Sequence, residues 1–474
     1  MELTFIGMIQ IVIGAYVVLV GSVRSAVIFL VASALFEGSA AILLPGLGGS
    51  SIPPVQFALM FTTLRILAPK GGYLGLLPNS VIDNKWFVLF AVYGIASAYL
   101  APRIFDGAVN VFPMRPSETL GPFDTIPLRP TAQNLTAAFY LLGALLLTIS
   151  GYVFARIRSG PGALVSALLL ASWFHVASGL VDLATRGSAF EAILTAFRNG
   201  GYSMLDHSAS GFIRIRGVLP EASTYAGLGF TLFLACAEFW YRSIRPVATG
   251  LTALAMALML VLSTASTAYV AMAAYGLFFV FRAALFPHVT PRDKLAHTAI
   301  AMFGILFVLS VLIALAPGLP IGVYELVMDM TFGKSDSFSG QQRLFWALQG
   351  WDSFIASYGL GIGPGSFRSS SIVTAILGST GVIGTVSFAL YLKAVLQASK
   401  RSTWSTGPSE LQSIGGALAV AAFLSLVPAA VSSPNVVPRA LFSIMAGAAI
   451  AMRSRLPDLI NAADQDVAGV RWKP

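Results

Sequence analysis

The chain has 474 residues, 56% of them hydrophobic and 10% charged, with a formal net charge of +9. Soluble domains carry about 25% charged residues, so this composition excludes a water-soluble globular protein and points to an integral membrane protein. The positive balance reads as orientation charge rather than as a nucleic-acid footprint. The single cysteine, Cys236, excludes a disulfide framework and any cysteine-based metal site.

In lipid, backbone polar groups must be satisfied within the chain, which leaves helices or a closed barrel. Apolar runs of about 17–25 residues fit helices. In chain order they lie at 3–21, 26–46, 52–68, 86–101, 134–157, 162–183, 221–243, 247–264, 266–285, 295–317, 373–396, 413–431 and 434–452. The run at 86–101 is short and 247–285 divides in more than one way, so an all-α polytopic protein with 12–14 transmembrane helices is expected. The opening MELTFIGM has no positive n-region and is read as part of the first span rather than as a cleaved signal.

With the N-terminus outside, the inner segments carry Arg24, Lys70, Lys85, Arg156, Arg158, Arg242, Arg245, Arg282, Arg292, Lys294, Lys400 and Arg401. This obeys the positive-inside tendency. The three long loops, 102–133, 184–220 and 318–372, then fall outside. One transmembrane domain over 1–455 and a polar cytoplasmic tail over 456–474 are expected, with no internal repeat.

Ionisable residues within spans are candidates for function. They are Glu37, Arg65, His175, Asp182, Glu238, His297 and Arg439. Glu37 is placed mid-span and Arg65 near an inner end, roughly 10 Å apart in depth at 1.5 Å per residue, which argues against a direct pair. His175 reads as a hydrogen-bonded structural histidine, and Glu238 and His297 as snorkelling groups. Arg439 sits behind Pro434 and Pro438 near an outer end.

The polar features gather in the outer loops. The second ends in DHSASGFIRIRGVLPEASTYAGLGF over 206–230, where Asp206, His207, Arg214, Arg216, Glu221, Ser223 and Tyr225 crowd the start of a span. Pro220 before Glu221 marks a helix start, so Glu221 is either a cap at the positive helix end or a base held at the interface. Arg214 and Arg216 lie two apart on a stretch read as extended, and at most one of them is expected to enter a given site directly. The third loop supplies Arg343 and Trp346, three apart on one helix face, then GIGPGSFRSSS over 361–371 with Gly363, Gly365, Arg368 and Ser370. An arginine fork suits phosphate oxygens. The tryptophans suit sugar rings or the membrane interface. The glycines permit a tight turn and close approach of a ligand. Such a cationic, aromatic, carboxylate-bearing surface matches a ligand with a lipid tail, a diphosphate and a glycan head.

These segments resemble the bacterial O-antigen ligase and O-antigen polymerase superfamily. The resemblance rests on R-G-x-x-x-E-x-S-x-x-A from Arg216 to Ala226, then R-x-x-x-x-x-x-x-W, G-x-G-P-G-S-F, and G-x-x-G at Gly381 and Gly384. It implies a C-type glycosyltransferase-like fold with large periplasmic loops in the bacterial inner membrane, acting without metal or other cofactor on a polyprenyl-diphosphate-linked oligosaccharide. A chain-length regulator protein is a further candidate partner. The resemblance assigns diphosphate binding to Arg216 and Arg343. Ligases of the family tend to carry a His where Ser370 stands. The P-E-A-S and F-R-S-S-S segments are more similar to the polymerase branch, so a polysaccharide polymerase is expected. A sugar hydroxyl would attack the anomeric carbon, with Glu221, or His207 beside Asp206, accepting its proton. An O-antigen ligase-type transferase and a lipid-linked oligosaccharide flippase are the alternatives.

Overall fold

Some of the apolar runs open on a polar residue that takes up the first free N–H groups. Thr4 accepts from Gly7 N–H at 3.2 Å and Ser22 accepts from Ser25 N–H at 3.2 Å. Ser409 and Gln412 exchange bonds in a reciprocal capping box. The computed structural model describes residues 1–453 apart from 48, 69–72, 118, 201–207, 210–211, 287–292, 301–302, 304–309, 311–337 and 405–408.

The protein is an all-α membrane protein. Among the described residues seven helical segments are long and apolar enough to cross a membrane. They are Lys85–Ile104 (α5), Ala132–Arg156 (α6), Gly160–Thr185 (α7), Ala222–Tyr241 (α9), Ser266–Leu285 (α11), the first part of Ile372–Trp404 (α13), and Glu410–Ser432, which divides into α14 (Glu410–Leu424) and α15 (Leu426–Ser432). Shorter apolar helices are Phe5–Leu19 (α1), Val23–Ser33 (α2), Pro54–Leu67 (α3), Pro246–Leu262 (α10) and Ala440–Ala451 (α16). Further helices are Leu77–Asp83 (α4), Glu191–Ala196 (α8) and Phe338–Ala356 (α12).

The run expected at 26–46 is divided. Its helix stops at Ser33, and the chain turns into a small sheet of Glu2–Leu3 (β1), Ile42–Leu44 (β2) and Ser50–Ile52 (β3), with Leu3 opposite Ile42 and Ile42 opposite Ile52. Glu37 therefore lies in a turn and not mid-helix. Further two-stranded ladders join Asn110–Val111 (β4) to Ile126–Pro127 (β5) and Ser208–Ala209 (β6) to Phe212–Ile213 (β7). The last run starts late, at Ala440, because Pro434 and Pro438 hold the preceding chain out of a helix. Most of the run at 295–317 lies outside the described residues.

Packing depends on small residues. A Cβ built at Gly447 would lie 2.0 Å from the Thr148 carbonyl, and one at Gly151 would lie 2.3 Å from that of Ile444, so α6 and α16 meet backbone to backbone. α9 is the most enclosed span, with 89% of its apolar window buried, whereas α11 has 17% and faces outward. α13 is broken at Gly381, whose φ of 58° and ψ of −153° suit glycine. Segment 359–363 repairs the break. Ile362 and Gly363 donate to the Gly378 and Ser379 carbonyls, and Val382 donates to Gly359. Irregular backbone in a membrane protein is tolerated where protein satisfies it in this way.

The two ends of the bundle differ. The near end carries β1–β3, the start of α9 and α12. At the far end Glu238 is fully buried and binds Arg282 at 2.8 and 3.0 Å and Tyr275 at 3.1 Å, with Arg242 at 3.6 Å. Glu238 is thus an internal ion-pair centre and does not snorkel. Also at the far end, Asp83 accepts from Arg453 at 2.8 Å and from Tyr152 at 2.7 Å, with Arg156 3.7 Å away. Replacing Gly447 with Val should force α6 and α16 apart. The expected cost is about 1–3 kcal/mol, the usual range for overpacking, read as a lower melting midpoint of the detergent-solubilised protein, while Gly276→Ala on the open face of α11 changes little.

Candidate functional site

The near-end site is organised by a buried carboxylate at the end of α7. Asp182 is 1% exposed; one oxygen accepts from Arg198 at 2.7 Å, the other from Arg186 at 3.2 Å and from the backbone N–H of Arg216 at 2.8 Å. Arg186 also donates to the Arg214 carbonyl at 2.8 Å, and Arg198 donates to Gly217. The extended stretch 214–217 is therefore held through its backbone. Arg214 and Arg216, two apart in sequence, nevertheless meet different charged surroundings.

Arg216 points into this network and meets Glu191 at 3.4 Å. Its pKa lies below the usual arginine value, from burial first and then from the like charge of Arg198, with Asp182 opposing. Arg214 instead shares the field of Arg343 and Glu221. Burial first, then Arg343, pulls the Arg214 pKa down, while Glu221 and Tyr269 pull it up. Arg343 is lowered by burial, with Glu221 opposing. Both guanidiniums stay charged at physiological pH. Two partly desolvated cations facing one carboxylate form a site that an anion would relieve.

Glu221 stands at the N-cap position of α9, with φ −135° and ψ 149°, but its side chain makes no capping hydrogen bond. Its Oε2 accepts from Ser223 at 3.0 Å. The positive end of α9 therefore lies beside a carboxylate turned to its neighbours rather than back onto the helix. Arg439 reaches the same turn. It bonds Glu37 at 3.1 Å and the Thr224 carbonyl at 3.5 Å. Glu37, placed mid-span by the sequence, is thus the partner of Arg439 at the near end.

Other expected site residues have different duties. Tyr225 is fully buried, stacks on His175 with centroids 3.9 Å apart and donates to the His175 carbonyl at 3.1 Å, so it is a core residue. His175 is buried and stacked on Tyr225, and its Nε2 has no hydrogen-bond partner among the described residues, unlike the hydrogen-bonded histidine expected. Ser370 Oγ donates to the Arg343 carbonyl at 2.5 Å and so tethers α12. A Cβ at Gly365 would lie 2.3 Å from the Gln133 carbonyl, and one at Gly363 2.6 Å from that of Ser97. These glycines admit α6 and α5, not a ligand. Asn134 secures the same turn by donating to Pro364 O and Ser366 Oγ, each at 2.9 Å.

Trp346 and Arg343, although three apart on α12, serve different contacts. The Arg368 guanidinium lies 4.6 Å from the Trp346 ring, which packs 5.5 Å from Phe112. Trp346 Nε1 is buried without a hydrogen-bond partner among the described residues. Asp206 and His207 lie outside the described residues. Tyr269, at the start of α11, escaped the sequence reading because a single tyrosine in an apolar run carries no pattern. Glu191 was equally unmarked. Among the described residues no three His, Cys, Asp or Glu side chains gather as a metal site would require.

No protein-family model matches this sequence, and no curated protein matches it. Two outcomes test the geometry. Asp182→Ala strands the buried Arg198 and should cost about 3–5 kcal/mol, as breaking a buried pair does, seen as loss of monodisperse protein or a markedly lower melting midpoint. Glu191→Gln, at a half-exposed pair, should cost under about 1 kcal/mol.

Proposed function

We propose that the protein is a polysaccharide polymerase. It joins polyprenyl-diphosphate-linked oligosaccharide repeat units on the outer face of the bacterial inner membrane, as a C-type, metal-independent, inverting glycosyltransferase. The observation that carries this reading is the gathering of Arg214, Arg343 and Glu221 at the N-terminus of the most enclosed helix.

The chemistry requires charge stabilisation at the leaving group and a proton acceptor at the nucleophile. A sugar hydroxyl of one unit attacks the anomeric carbon of the carrier-linked chain. The new C–O bond forms as the bond to the diphosphate breaks, and the electron pair leaves with the diphosphate. Arg214 and Arg343 stabilise that developing charge. Glu221 accepts the hydroxyl proton, with Ser223 fixing its carboxylate. A single displacement inverts the anomeric configuration. Arg214 here takes the role that the family resemblance gives to Arg216, since Arg216 is turned toward Glu191. The near end faces outward because the expected inner segments carry the short-loop lysines and arginines.

The test is product analysis with purified protein in liposomes supplied with a lipid-linked repeat unit. Wild type is expected to give a ladder of carrier-linked chains. Arg214→Ala and Arg343→Ala should each lose about a hundredfold or more in rate, as removal of a transition-state charge partner does, and Glu221→Gln should be comparably slow. Arg216→Ala should retain more activity than Arg214→Ala, and chelators should leave the rate unchanged. Transport of the natural repeat unit without a ladder would overturn the polymerase in favour of a flippase. Transfer to a different acceptor would favour a ligase.

A further inference from the structure

We propose that the far end of the bundle holds a separate binding site for the phosphate-bearing headgroup of an anionic membrane phospholipid. A cavity of about 440 Å³ lies between the start of α5 and the middle of α13. Lys85, Lys393 and Arg453 line it together with Asp83, Trp86 and Leu390.

The charges do not cancel. Asp83 is occupied: Arg453 and Tyr152 bond its two oxygens and Arg156 stands 3.7 Å away. Lys85 and Lys393 make no ion pair with any described residue, and Lys85 lies 5.5 Å from the Trp86 ring. Two ammonium groups therefore face a cavity whose only acidic lining residue, among the described residues, is already neutralised. Lysine is a strong point-charge partner for phosphate, and basic pockets between helices suit phospholipid headgroups.

The wall decides the source of the phosphate. Trp86 is the kind of residue that sits at headgroup level. From the cavity an exposed apolar path continues along both helices, with Leu89 three residues beyond Trp86 and Val386 four residues before Leu390. A headgroup in the cavity would lay an acyl chain along that path. A free phosphate would use only the lysines.

The experiment is thermal unfolding of the full-length protein in neutral detergent with added phosphatidylglycerol, phosphatidylcholine or inorganic phosphate. Phosphatidylglycerol should raise the midpoint by a few degrees beyond phosphatidylcholine. That difference should vanish in Lys85→Ala/Lys393→Ala, persist in Lys85→Arg/Lys393→Arg and persist in Lys400→Ala, a far-end charge outside the cavity. An equal shift in wild type and the double alanine variant would overturn the site. Loss of the shift in the double arginine variant or in Lys400→Ala would overturn the assignment to these two charges. A full shift from inorganic phosphate alone would make the occupant a soluble phosphate and overturn the lipid.

Discussion

Asp182 is the constraint on which the near end depends. A carboxylate 1% exposed inside a membrane protein must be neutralised, and here two guanidiniums and a backbone N–H share the task. That third bond comes from Arg216 and carries the functional consequence. It holds the chain at Arg216 against the network that the Arg216 side chain also joins, while Arg214 serves the field shared by Glu221 and Arg343.

The rest of the site is placed by helix starts and by side-chain bonds to the main chain. Glu221 is placed by the start of α9, which the enclosing helices bury along its length. Arg343 is placed through its own carbonyl, tied to Ser370. Ser370 belongs to the segment that also packs Gly363 and Gly365 onto α5 and α6 and repairs the break at Gly381. The glycine-rich turn thus contributes to the site at a distance. It replaces ligand contact with helix contact.

The two ends of the molecule solve the same problem differently. At the near end, cations outnumber the carboxylates that could neutralise them, and Arg214 and Arg343 are pushed down by burial. At the far end, Glu238 is saturated by Arg282, Tyr275 and Arg242. Saturated ion pairs stabilise packing, whereas an excess of desolvated cations offers a place for an anionic ligand.

The apolar run lengths by themselves determined a helical membrane protein, because lipid leaves the backbone few alternatives. They located α6, α7 and α9 nearly to the residue, and Pro220 marked the start of α9. They overextended α2, since Ile42 and Leu44 are as apolar in a strand as in a helix. Motif reading gathered Glu221, Arg214 and Arg343 as candidates but could not separate Arg214 from Arg216, remove Tyr225, or join Glu37 to Arg439. Those choices belong to the tertiary structure. They depend on which groups meet across tens to hundreds of residues of sequence, and a pattern along one chain records which residues are polar but not which partner satisfies them.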